Sequence, residues 1–147
     1  MSDAWIEAIA EDECLRLLRA GTVGRIAVVA EDGPIILPVN YRLMEPPSGP
    51  LVAIRTRPGN VIEQAPESVA FEIDSIDQAN HQGWSVVVRG ELVHAASASP
   101  VVRTHLDSLP WISTDRDAWL FIDPFAITGR QLHAAESPWM FRRGEYL

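Results

Sequence analysis

The sequence predicts a mainly β protein with a few short helices, folded as a small antiparallel barrel. The chain has 147 residues, a length that suits one domain. Its apolar runs are short, rich in β-branched residues and separated by tight turns, so they indicate six or seven strands. Only two or three short segments have helical spacing. This combination favours a barrel over a doubly wound sheet.

The predicted strands are apolar or alternating runs, and they cover residues 24–30, 35–43, 51–56, 68–74, 84–96, 119–122 and 127–133. A helix precedes them. It begins near Glu11 or Asp12, either of which can cap it, and it ends at Gly21. A second helix begins after Ser99, because a serine cap followed by proline is typical of a helix start.

Four local residue patterns predict a turn, a strand irregularity, a bulge and a helix cap. Asp32-Gly33 predicts a tight hairpin between the first two strands. Pro38 predicts an edge, a bulge or an irregular stretch in the second strand. Gly90 predicts a bulge in the long strand. Asn60 can cap a short helix that ends at Pro66.

The composition excludes several functional classes. Twenty acids oppose 12 bases, all of them arginine, so the net charge is −8. Such a chain lacks the basic face of a general nucleic-acid binder. Its one cysteine, Cys14, permits neither an internal disulfide nor a cysteine-based zinc site. No apolar run approaches the ~20 residues of a membrane span, and the N-terminus has no signal-peptide pattern, so we expect a cytoplasmic protein without a membrane partner.

The segment from Arg55 to Asn60 is the strongest candidate for a binding site. Arg55 and Arg57 share one face at a strand end, and Thr56 lies on the other face. A Pro-Gly loop and a capped helix start follow. Arginine forks, free backbone N–H groups and a helix N-terminus favour an anion, commonly phosphate. The alternative is a solvated turn whose arginines offset nearby acids.

A second candidate site lies on the long strand. Arg89 is in mid-strand, where a charge is costly unless it is paired, so we expect it to contact a ligand, Glu72, Glu91 or solvent. Trp84 and Ser85 offer an aromatic wall and a hydroxyl donor for a planar ligand, although Trp84 also suits the core. The scattered histidines predict no metal site. Any enzymatic reactivity is therefore expected to come from a cofactor.

Five segments occur in a characteristic order, namely Gly24–Val28, Leu37–Tyr41, Arg55–Gly59, Phe71–Asp74 and Gly83–Gly90. This ordered set resembles the pyridoxamine 5′-phosphate oxidase-like family of flavin-binding split barrels, particularly its small actinobacterial members. The resemblance covers about residues 12–133. It implies a six-stranded antiparallel Greek-key split β-barrel, with residues 1–147 as one FMN-binding domain. The expected protein is a homodimer with FMN between its subunits.

The resemblance also assigns residues to the cofactor. They are Pro38, Val39, Asn40 and Tyr41 along the ring, largely through backbone, Arg55, Thr56, Arg57, Gly59 and Asn60 at the phosphate, and Trp84, Ser85 and Arg89 closing the site. The N-terminal helix and the aromatic C-terminal tail, Trp139 to Phe141, are expected to pack on the barrel or on the partner subunit. The implied activity is hydride transfer through the flavin N5 to or from an unidentified small molecule, with no catalytic side chain.

The chain departs from the family pattern at one phosphate contact. Many relatives have Pro-Gly-Thr-Lys-Leu at residues 58–62, where this chain has Val61 in place of the lysine. Losing one charge-assisted contact costs about 1.5–3 kcal/mol, roughly ten- to a hundredfold in affinity. The alternatives are therefore a deazaflavin-dependent reductase on the same fold, or a non-catalytic dimeric binding module with weakened cofactor affinity. Vitamin B6 oxidation is not expected, because the C-terminal arginine and histidine pattern for that substrate is not evident.

Overall fold

The computed structural model describes residues 5–57, 59, 62, 68–113 and 118–133. The strands are β1 (Trp5–Ile9), β2 (Val23–Ala30), β3 (Gly33–Met44), β4 (Leu51–Arg55), β5 (Ser68–Asp77), β6 (Gln82–His94) and β7 (Trp119–His133). The helices are α1 (Glu11–Ala20), α2 (Pro100–Asp107) and α3 (Pro110–Ser113), with a 3₁₀ turn at Ala95–Ser97. Within these residues, no helix has the length and apolarity that crossing a membrane requires.

The strands close into an antiparallel ring in the order β7-β4-β3-β2-β5-β6, because β6 also pairs with β7. Three consecutive strands, β2 to β4, lie side by side, and β5 returns beside β2, which is a Greek key. The predicted count of six strands is wrong by one. Six strands form the ring, and β1 is a seventh that pairs with the end of β7. Its partner is more than a hundred residues away, so no local pattern indicated it.

Strand β3 changes partner along its length. Its first part, Gly33 to Asn40, pairs with β2, whereas Tyr41 to Met44 pairs with β4. In the described part of the chain no strand pairs with the second edge of the first part. Pro38 lies in that part, which confirms the edge prediction, since a proline has no N–H to give to a second neighbour. The barrel is split at this edge.

The C-terminal strands differ from the prediction. Residues 119–122 and 127–133 belong to one strand, β7, rather than to two. Pro124 lies within β7 beside a bulge, because the pairing shifts from Arg89–Ala126 to Gly90–Pro124 and leaves Phe125 as an extra residue on β7. Gly90 also confirms its own predicted role, since a Cβ there would overlap the facing β7 backbone. The predicted strand 84–96 is shorter at its end, because a 3₁₀ turn follows His94.

One predicted helix cap is correct and the other is wrong. Ser99 caps α2, and its Oγ accepts a hydrogen bond from the Val102 N–H at 3.4 Å. For α1, the cap position is Ala10, which makes no side-chain capping bond. Glu11 and Asp12 instead lie in the first turn, where carboxylates favour the positive end of the helix dipole. The predicted helix after Asn60 and the aromatic tail lie outside the described residues.

Two apolar cores share β4 and β7. Inside the ring, the alternating side chains of β5, including Phe71, pack against β2, β6 and α1, as the sequence predicted. Outside the ring, α2 and α3 cover a second core that contains Ala53, Trp119 and Phe121. Residues 51–54 of β4 are consequently buried on both faces. Arg55, the last residue of β4, is the first residue of that strand to be exposed.

Candidate functional site

A groove of about 410 Å³ opens at the split edge of β3. Its lining residues come from the middle of β3 and from the chain just after β4, and they are Leu37, Pro38, Val39, Asn40, Arg55, Thr56, Arg57 and Ile62. The volume lies within the range of small-molecule sites. The fold therefore brings together the two segments that the sequence assigned separately to a ring and to a phosphate.

The end of β4 presents two arginines to this groove. Arg55 and Arg57 are exposed, whereas Thr56 between them is 7% exposed. The Thr56 N–H donates a hydrogen bond to the Ala118 carbonyl at 2.7 Å, which continues the β4–β7 pairing beyond the strand. The alternation predicted for these three residues is confirmed. The backbone is thus held while both guanidinium groups face outward.

The groove has a positive lining in a negative protein. Among the residues that the structure describes, its lining includes two arginines and no acid, although the whole chain has a net charge of −8. Within the described ranges, no salt bridge joins Arg57 to a carboxylate. Guanidinium groups match the geometry of phosphate and carboxylate oxygens. Such a lining can bind a phosphorylated or carboxylated ligand.

The loop beyond the arginines is only partly described. Gly59 has φ +80°, a left-handed conformation that favours glycine. Ile62 is buried and lines the groove, a role that the sequence did not indicate. Pro58, Asn60 and Val61 lie outside the described residues, so the predicted phosphate contact of Asn60 stays a prediction.

The β3 wall of the groove follows the strand's period of two. Pro38 and Asn40 are exposed, while Val39 is half-buried. The side chain of Tyr41 points into the barrel instead, where its hydroxyl donates to the Leu18 carbonyl at 2.8 Å. Burial raises the pKa of Tyr41 to about 12. Its side chain does not line the groove, so only a backbone contact to a ligand stays predicted.

The three β6 residues do not line this groove. Trp84 is half-buried and packs against the barrel core. Ser85 faces Asp74 across the β5–β6 pair. Arg89 lies 5.5 Å from the centre of the Phe125 ring and lines a separate hollow of about 290 Å³ on the outside of the sheet. Their predicted contact with a cofactor therefore finds no support within one subunit and stays a prediction.

A charged cluster on the outside of β2 and β5 was missed. Arg25 forms salt bridges with Glu72, at 3.2 Å, and with Asp74, so Glu72 pairs with Arg25 rather than with Arg89. Burial raises the pKa of Glu72, whereas hydrogen bonding to Glu72 and to Arg25 lowers the pKa of Asp74. The register of β2 and β5 could have indicated it, since Arg25 lies opposite Glu72.

No group of three metal-ligand side chains is present in the described part of the chain. The described histidines include His133, whose Nε2 lies 2.9 Å from a carboxylate oxygen of Glu7. That contact joins β1 to β7 at the end of their pairing. It serves the sheet rather than a ligand site.

The closed six-strand ring, the Greek key and the groove at the open edge of β3 define an antiparallel split β-barrel. Comparison with known proteins gives the family. A family model described as pyridoxamine 5′-phosphate oxidase matches residues 10–131. The chain belongs to this family.

Individual relatives agree with the family and the fold. An uncharacterized protein of Mycobacterium tuberculosis, Rv0080, is 31% identical over 130 residues, which cover 84% of this chain and 83% of the relative. The structure of an FAD-binding protein from Mycobacterium smegmatis is similar with a TM-score of 0.65 and 27% identity, covering 85% of this chain and 97% of the other. An FAD-binding protein from Mesorhizobium loti has a TM-score of 0.66 at 22% identity, covering 90% and 100%, which shows the shared fold.

Proposed function

We propose that this protein binds a flavin through its phosphate in the β3–β4 groove and acts as an FMN-dependent oxidoreductase. The observation that carries the proposal is the pair of exposed arginines, Arg55 and Arg57, in a groove whose described lining residues include no acid. The FAD-binding protein of Mycobacterium smegmatis, a relative at 27% identity, supports a flavin as the ligand. FMN and FAD both carry phosphate, so the same arginines suit either.

The residues present fit a phosphorylated flavin. Arg55 and Arg57 would bind the phosphate by charge-assisted hydrogen bonds. The open edge of β3 between Leu37 and Asn40 would offer backbone groups to the ring, since no second strand within the described residues uses them. When bound, the flavin would supply hydride transfer to or from a small molecule. The chain's own part is to bind and orient it.

We further propose that the protein is a homodimer. Several large apolar residues are exposed on the outside of the sheet, and they include Val29 (57%), Ile36 (69%) and Phe125 (59%). Val29 and Phe125 also line the hollow that contains Arg89. Exposed apolar groups that cluster in this way favour a protein partner. A second copy would also explain why Trp84, Ser85 and Arg89 lie away from the groove of their own subunit.

The dimer is tested by light scattering. The wild type should have twice the mass of one chain, and Ile36→Glu should shift it toward one chain because a charge would enter the apolar contact. Val101→Glu, at an exposed apolar position on α2, is the matched control. A wild type with the mass of one chain would refute the dimer.

The cofactor is tested by fluorescence titration with FMN, riboflavin, FAD and a phosphorylated deazaflavin. Riboflavin has the FMN ring but no phosphate. Arg57→Ala should weaken FMN binding by about ten- to a hundredfold and leave riboflavin binding unchanged, since one charge-assisted contact contributes about 1.5–3 kcal/mol. Arg16→Ala is the control, because Arg16 is exposed on α1 and pairs with Glu13.

Each outcome of this titration has a meaning. Equal FMN affinities of wild type and Arg57→Ala would place the phosphate elsewhere. Preference for the deazaflavin would favour the reductase alternative. A protein that binds none of the four ligands would be a non-catalytic module, and the proposed function would be wrong.

A further inference from the structure

We propose that Trp119 is a positioning residue for the groove, because its indole ring orients the Arg55 guanidinium. The Cζ atom of Arg55 lies 5.9 Å from the centre of the Trp119 ring. The two residues are directly opposite each other in the β4–β7 pairing. Side chains that face each other across antiparallel strands lie on one side of the sheet. The ring quadrupole attracts a cation at this distance.

Trp119 is a rigid platform for this contact. Its side chain is 8% exposed and belongs to the core beneath α2 and α3. The ring of Trp111, on α3, packs edge-on against it, with 4.9 Å between the ring centres and an angle of 73°. Arg55, in contrast, is exposed and has a long side chain. Fixing such a side chain before a ligand arrives lowers the entropic cost of binding.

The neighbouring indole provides an internal comparison. Trp111 lies 4.6 Å from the Cζ atom of a different arginine, Arg42, which does not line the groove. Both indoles therefore contact an arginine and each other, but only the Trp119 contact leads to a groove residue. Trp111→Phe perturbs the same core but keeps an aromatic ring beside Trp119 and both members of the Arg55–Trp119 pair. This difference separates a positioning role from a general effect on packing.

The chemistry of Trp119 also permits a mild substitution. Its Nε1–H is buried and has no acceptor among the residues that the structure describes. Trp119→Phe therefore removes no hydrogen bond to those residues and keeps an aromatic face, although a weaker one. Trp119→Leu removes the face altogether. The two variants form a graded series in the strength of the attraction.

This inference rests on the proposed binding of the flavin phosphate by Arg55. The test measures FMN and riboflavin affinities of Trp119→Leu, Trp119→Phe and Trp111→Phe, each also in an Arg55→Ala background. We expect Trp119→Leu to weaken FMN binding by about three- to fivefold and to leave riboflavin binding unchanged. Trp119→Phe should restore part of the loss. In the Arg55→Ala background, neither Trp119→Leu nor Trp119→Phe should weaken FMN binding further.

A second measurement needs no flavin. The mobility of the Arg55 Nε–H, from ¹⁵N relaxation of the ligand-free protein, should increase in Trp119→Phe, while that of Arg57 should not. If Trp119→Leu does not fold, the Phe variant and its relaxation data decide alone. Unchanged Arg55 mobility, equal losses for FMN and riboflavin, or a loss that persists with Arg55→Ala would overturn the positioning role. A wild type that binds no phosphorylated flavin would overturn the proposed function, and the mobility data would still decide whether Trp119 orients Arg55.

Discussion

Arg25 and Arg57 belong to one barrel but have opposite surroundings. Arg25, on the outside of β2, forms salt bridges with Glu72 and Asp74. Arg57 lies in the groove, where the described part of the lining contains no acid. In a chain with a net charge of −8, an anion site therefore depends on where the acids are placed rather than on how many there are.

The largest effect expected in this comparison is an increase in FMN affinity. Val61→Lys introduces the lysine that the family resemblance predicts at the phosphate, so it should increase FMN affinity by about ten- to a hundredfold. Riboflavin affinity should stay the same, because riboflavin has no phosphate. The measurement is a pair of fluorescence titrations. An equal gain for both ligands would mean that the lysine acts on the ring or through non-specific attraction.

A smaller effect is expected when the groove is made to resemble the surroundings of Arg25. Asn40→Asp places a carboxylate in the lining at an exposed position, with almost no change in shape. The added charge should repel the phosphate and weaken FMN binding by about tenfold. Asn80→Asp, in the β5–β6 turn, adds the same charge outside the groove lining and should not. If both variants weaken FMN binding equally, net charge rather than placement controls affinity.

The smallest effect is expected at Arg25. Arg25→Ala should lower the free energy of unfolding by about 0.5–1 kcal/mol at pH 7, the usual range for exposed pairs. Arg25 helps to lower the pKa of Asp74 below its ordinary value of 3.8. The stability that Arg25 contributes through Asp74 is therefore present above pH 3.8. It is lost as the pH falls through the lowered pKa of Asp74. Urea unfolding should show a smaller difference between variant and wild type at pH 3 than at pH 7.

Glu72 adds a term of opposite sign to this pH dependence. Burial raises its pKa, so its own contribution favours the folded state at low pH and is lost as the pH rises through the raised value. Comparing the free energies of unfolding of Arg25→Ala and the wild type at each pH separates the effect of the arginine from this contribution of Glu72. A difference that is the same at pH 3 and pH 7 would contradict the assigned ion pairs.

Local patterns predicted most of the ring but not its closure. Alternation identified β5, and Ser99 and Gly90 marked a helix start and a bulge, because each depends on neighbours within a few residues. The strand β1 and the continuity of β7 past Pro124 depend on partners far along the chain, so they could not be predicted from spacing.

For the candidate site too, the sequence predicted local features but not contacts between distant segments. The arginine pair was found because its signal is local, whereas Ile62 reaches the groove only through the fold. The period of two along β3 directs the side chain of Tyr41 into the core, so its predicted cofactor contact is left to the backbone and stays a prediction. The cofactor contacts predicted for Trp84 and Ser85 stay predictions, because they would require the proposed second subunit, which no pattern within one chain can locate.

The position of β7 has a consequence for synthesis. This last strand of the ring joins β4 to β6 and also takes up β1, so residues near the two ends of the chain, such as Trp5 and His133, become neighbours. A nascent chain on the ribosome can form the β2–β3 hairpin early, but its barrel stays open until residue 133 has emerged. Contacts between such distant residues make folding slow, on the order of milliseconds to seconds. The apolar interior consequently waits for the final segment before it is shielded from water.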